Sequence, residues 1–97
     1  MILKPVSDGT VTETGVIQFS SNILGGVLIT ADGTNAAVVT LQADNSGGFT
    51  VFSISTKSPI FVAGPVSIVN ADGDTTVAGY YSVTGTGAAA QFYEWVE

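Results

Sequence analysis

Apolar residues in this chain recur at every second position, in short runs interrupted by Gly, Asn, Asp and Ser, and the 3.6-residue period of a helix is nearly absent. A strand turns successive side chains to opposite faces, so this rhythm builds a surface that is apolar on one side. The pattern predicts about eight strands, near residues 2–6, 15–20, 26–31, 36–43, 49–56, 60–69, 77–84 and 89–96. Turn chemistry separates them. Asp8-Gly9 and Asp32-Gly33 can supply positive φ at low cost. Asn45-Ser46-Gly47-Gly48, Asn70-Ala71-Asp72-Gly73-Asp74 and Gly85-Thr86-Gly87 form longer turn clusters, and Gly25-Gly26 and Gly47-Gly48 suit a bulge or a tight connection. The Asp-Gly turns recur at irregular spacing, so they are repeated turn chemistry rather than a structural repeat.

Short strands at this spacing read as a β-sandwich or small barrel. The expected fold is one all-β domain, residues 1–97: an antiparallel β-sandwich of about eight short strands, with a jelly-roll-like form among its arrangements. Alternation assigns the core to Ile17 and Phe19, Val39 and Leu41, Phe52 and Ile54, Val66 and Ile68, and Tyr81 and Val83. Pro65 has no amide hydrogen to give a neighbour. The strand at 60–69 is therefore expected at an edge, or bulged or bent near Gly64-Pro65.

The last strand breaks the one-sided pattern. Gln91-Phe92-Tyr93-Glu94-Trp95-Val96 puts Phe92 and Val96 on one face, Tyr93 and Trp95 on the other. One domain's core can cover only one of those faces. Tyr93 and Trp95 are expected either to lie over neighbouring turns or to meet another subunit or a partner. Tyr80 points away from the core if its neighbour Tyr81 points in, and joins them as a candidate interface residue.

Charge and ligand chemistry narrow the function. The 97 residues hold no His and no Cys, only two basic residues (Lys4 and Lys57), and a formal charge of −6. Disulfides are impossible, and zinc and most transition-metal sites lack their ligands. Two lysines cannot neutralise a phosphate backbone or hold an anionic bilayer, so neither nucleic acid nor membrane is an expected partner. Charged residues make up 10% of the chain, so Thr, Ser, Asn and Gln must supply much of the polar surface. Such a surface packs readily against a permanent neighbour, and oligomerisation is the stabilising route most open to so small a domain. Met1 to Pro5 carries no basic region followed by a long apolar core, so no secretory leader is expected.

Few motifs suggest catalysis. Asn70, Asp72 and Asp74 alternate as the first ligands of a calcium loop do, but Gly73 and Tyr81 stand at the wrong positions for one. An Asx-rich turn with exposed carboxylates is the expected outcome. Glu94 is the one acid in an apolar setting, and its expected role is an outward charge on an edge strand. Lys57 with Ser55 or Ser58 could form a Ser–Lys pair, but three residues after a strand more readily make a turn. No enzyme, metal or cofactor is expected. Trp95, Tyr80, Tyr93 and Phe61 could together form an aromatic platform for a sugar.

Residues 36–97 carry a family likeness. The run Ser53-Ile54-Ser55-Thr56, the stretch Ile60 to Ile68, the segment Tyr80-Tyr81-Ser82-Val83-Thr84-Gly85-Thr86-Gly87-Ala88 and the aromatic end Phe92-Tyr93-Glu94-Trp95 resemble small virion proteins of tailed bacteriophages, of the capsid decoration, cement or head-fibre type. The resemblance implies a non-enzymatic structural protein, made in the host cytoplasm and located on the virion. It would bind a major capsid or other virion protein and form homo-oligomers, a trimer suiting the local three-folds of a shell. The competing expectation is a host-surface or carbohydrate-binding module of a fibre, tail or adhesin.

Overall fold

The structure, a computed structural model, describes residues 2–6 and 10–97. Eight strands follow one another: β1 (Ile2–Pro5), β2 (Gly15–Gln18), β3 (Ile23–Thr30), β4 (Ala37–Ala43), β5 (Thr50–Thr56), β6 (Ile60–Ser67), β7 (Ala78–Thr84) and β8 (Ala89–Val96). Their antiparallel pairings nest: β1 with β8, β2 with β7, β3 with β6, and β4 with β5. The chain therefore behaves as one long hairpin that turns between β4 and β5. Two further pairings, β3 with β8 and β4 with β7, roll that hairpin up. The result is two four-stranded sheets, β1-β8-β3-β6 and β2-β7-β4-β5, which is the strand order of a jelly roll. The expected antiparallel sandwich of about eight strands is the fold observed.

Alternation decides which side chains the sheets turn towards each other. Ile17, Phe19, Val39, Leu41, Ile68 and Val83 are buried, as the pattern predicts, whereas Phe52, Ile54 and Tyr81 pack against the core only partly buried. Phe92 lies at the centre. Its ring centroid is 6.5 Å from Phe19, 6.2 Å from Phe52 and 6.0 Å from Tyr81, so one residue of the first sheet touches three rings associated with the second. Val66 departs from expectation. It pairs with Leu24 but stays 41% exposed, because β6 is an edge strand and the facing sheet does not cover that rim. Val51 departs the other way. A register shift opposite Leu41 and Gln42 leaves it unpaired, and it packs against the core beside Phe52.

The punctuation residues act largely as read. Gly33 and Gly73 take positive φ, 88° and 86°. Asp8-Gly9 lies outside the described residues. Gly25-Gly26 forms a bulge inside β3 rather than before it, so that strand starts at Ile23 instead of near 26. β6 is the edge that Pro65 demands. Asn70 closes the turn at 70–74. Its Oδ1 accepts from the amides of Asp72 and Asp74, both at 3.0 Å, which is the expected Asx turn.

Truncating Phe92 would remove the ring that joins the sheets. Phe92→Ala is expected to cost about 3–5 kcal/mol, a large share of the total for a domain of this size. Urea unfolding should show a lower midpoint, and an unchanged midpoint would refute the central role of this ring.

Candidate interaction surface

Placement of charge defines the surfaces available to a partner. The eight strands contain only two charged residues, Lys4 in β1 and Glu94 in β8. The other described charges, Glu13, Asp32, Asp44, Lys57, Asp72, Asp74 and Glu97, lie in connections or beyond β8. Both sheets therefore present neutral outer faces.

The outer face of the β1-β8-β3-β6 sheet is apolar. Leu3 stands opposite Trp95, Tyr93 lies between Pro5 and Gly26, and Leu28 lies between Gln91 and Phe61. Phe61, Leu28 and Leu3 are 44%, 40% and 37% exposed, and Tyr93 and Trp95 are half-buried. Gly25 and Gly26 form the floor. A Cβ on Gly26 would come within 2.6 Å of the Phe61 ring, and one on Gly25 would strike Leu3 and approach Trp95. The large side chains lie down over bare backbone, which is why these positions suit glycine. Phe61 then meets Tyr93 edge-on, with ring centroids 5.6 Å apart.

The expected interface residues do not form one site. Tyr93 and Trp95 share this face, both half-buried. Tyr80 is on β7, opposite Val16 and Gln42 on the outer face of the other sheet. Two sheets and the core separate it from Trp95. Around Tyr80 the surface is hydroxyl-rich: Thr40 and Ser53 share a 3.0 Å hydrogen bond, and the Thr14 hydroxyl donates to Ser82 at 3.4 Å. Leu3 and Leu28 join the apolar face unanticipated. Their position opposite Trp95 and Phe61 follows from strand register, which sequence alone does not fix.

Glu94 corrects the expectation of an outward charge on an edge strand. β8 lies between β1 and β3, and Glu94 is only 3% exposed, on the core side with Phe92. It reaches the connection between β2 and β3. One carboxylate oxygen accepts from the amides of Ser20 (2.8 Å) and Ser21 (3.0 Å), the other from the Ser20 hydroxyl (2.7 Å). Those amides would otherwise be donors without a ladder, and charge-assisted bonds satisfy them and the carboxylate together. With its oxygens committed to holding a loop, Glu94 is a structural brace. Parity sets residue 94 on the face of 92 and 96, but its burial follows from the central place of β8 in its sheet.

Above that braced loop lies a groove of about 820 Å³, lined by Ser20, Asn22, Thr76, Trp95 and Val96 among others. Lys57 stands apart, exposed in a turn that Thr56 closes by accepting from the Ser58 amide at 3.2 Å and donating to its carbonyl at 2.9 Å. That turn matches expectation. Among the described residues, no three His, Cys, Asp or Glu side chains gather as a metal site would require.

Asp32 closes the connection between β3 and β4. The backbone amide of Asn35, then its side-chain amide, then the Thr34 amide donate to this carboxylate at 2.7, 2.7 and 2.8 Å. These bonds hold its pKa below the ordinary aspartate value.

No family model matches the chain, and neither the curated proteins nor the solved structures contain a match.

Two outcomes follow. Glu94→Gln should lower stability by about 1–3 kcal/mol, because a neutral amide satisfies three donors less well; a denaturant midpoint equal to the parent's would refute the brace. Asp32 has a folded pKa below its unfolded one, so its contribution to stability is present above the unfolded value, about 3.9, and is lost as pH falls through the folded value. Asp32→Asn should therefore flatten the acid limb of a stability–pH profile below about pH 4. An acid limb identical to the parent's would exclude this linkage.

Proposed function

We propose that this protein is a non-enzymatic structural component of a virion, a capsid decoration or cement protein that packs against the outside of a phage head. The observation supporting this is the neutral aromatic and aliphatic face formed by Leu3, Trp95, Tyr93, Phe61 and Leu28. A face of this kind gains free energy by leaving water, and no charge has to be desolvated to do so. Many equivalent sites on a shell would multiply weak single contacts into firm attachment. The partner is then a major capsid protein or another virion protein. A jelly roll occurs in both capsid and lectin domains, so the fold does not choose between these roles.

A second reading has its own observation. The groove beside the β2–β3 connection has Trp95, Ser20, Asn22 and Thr76 among its lining residues, a mixture of aromatic and polar groups suited to a sugar. The protein would then be a carbohydrate-binding module of a fibre or adhesin.

Trp95 is the only tryptophan, so its fluorescence reports on both readings. For the structural role, mass spectrometry of gradient-purified particles from the producing strain should find this chain in many copies. Phe61→Ala and Trp95→Ala should reduce its occupancy on them. Absence from the particles, together with a saturable change in Trp95 emission on adding neutral oligosaccharides, would replace the first reading with the second.

A further inference from the structure

The two flanks of the sandwich are finished differently. On one, β1 and β2 are four residues each, and β1 carries Lys4 and Pro5. Short strands, charge and proline are the usual protection of a sheet edge. On the other flank, β6 spans eight residues but contains Pro65. β5, Thr50-Val51-Phe52-Ser53-Ile54-Ser55-Thr56, has neither charge nor proline over seven residues, and among the described residues no strand lies beyond it in its sheet. Beyond the bulge at Val51, its outward backbone groups from Phe52 to Thr56 form an unguarded template for another strand.

The core is unfinished on the same flank. Six apolar residues pack against it while only partly buried, and five of them are on β5 and β6: Val51, Phe52, Ile54, Ile60 and Val62. A small apolar gap of about 50 Å³ opens there, with Phe52, Ile54 and Val62 in its lining.

We infer that β5 pairs with β5 of a second copy, antiparallel about a two-fold axis at Ser53, joining two four-stranded sheets into one of eight. The strand's own register selects a second copy as the occupant. Antiparallel pairing about Ser53 sets Phe52 opposite Ile54 of the second copy on the core side. On the outer side Ser53 meets itself, while Val51, unpaired in its own sheet, stays turned to the core. Apolar positions thus match apolar positions where the core needs cover, and hydroxyls match on the wet face. Charge permits the approach. Each chain is −6 overall, yet β5 and β6 carry no charged residue, and the described acids other than the buried Glu94 lie in connections or beyond β8. The two-fold pairing replaces the three-fold association suggested by shell symmetry. It is independent of the particle-docking reading, since Trp95 is in the other sheet.

Light scattering of the purified chain tests this. The expected mass is twice the 9.8 kDa of one chain. Ser53 is exposed, so Ser53→Glu should leave the fold intact by circular dichroism while placing like charges face to face on the axis. It should return the mass to that of one chain at the same concentration. Ser53→Thr should keep the dimer. Val16→Glu, on the protected flank, and Trp95→Ala should also keep it. Should Ser53→Glu fail to fold, hydrogen exchange on the parent decides: amides at 51–55 that face away from β4 should exchange more slowly as concentration rises. A monomeric parent, a trimer, a dimer that survives Ser53→Glu, or concentration-independent exchange at β5 would each overturn the inference.

Discussion

The contact of Phe92 with Phe19, Phe52 and Tyr81 is the interaction on which the rest of this molecule depends. A chain of 97 residues without cysteine relies chiefly on side-chain packing to hold two sheets together. Phe92 is fully buried on a central strand of one sheet, and its partners include β5 and β7 of the other. Long-range pairing has to be in register before these rings meet. β8 must lie between β1 and β3 and keep its parity over eight residues. The rolled hairpin provides that register, and the rings stabilise it.

The same parity carries a carboxylate into the interior. Glu94 follows Phe92 on the core face, where burial of an unpaired charge would be costly. Its position over the β2–β3 connection resolves the problem, since Ser20 and Ser21 supply three donors that need an acceptor. The loop and the acid thus satisfy each other. The loop held in this way forms one wall of the groove that contains Trp95.

With charge confined largely to the connections, the strands show a partner little but shape and apolar area. One sheet offers rings and leucines over a glycine floor; the other offers hydroxyls around Tyr80. The flank at β5 offers backbone. All three suit association by packing, which is the physical content of the virion reading and of the strand-pairing inference alike. A single chain can use the apolar face and the β5 edge together, because they belong to different sheets.

Strand number, strand positions, most of the core and the edge placement of β6 were legible in local residue order. Alternation sets which side chains share a face, and proline and glycine set where a ladder can run, and both effects act over a few residues. The candidate surface was only half legible. Phe92 against Tyr93 and Trp95 was evident from parity, whereas the distance of Tyr80 from Trp95, the arrival of Leu3 and Leu28, and the burial of Glu94 were not. Each of those depends on which strand lies beside which, and pairings such as Leu3 with Trp95 join residues at opposite ends of the chain. The sequence by itself determined an all-β, charge-poor chain with one aromatic strand too apolar on both faces. Only the tertiary structure decided that β8 would be central, that its carboxylate would brace a loop, and that β5 would be left as an open edge, because sheet order is a property of non-local hydrogen bonds.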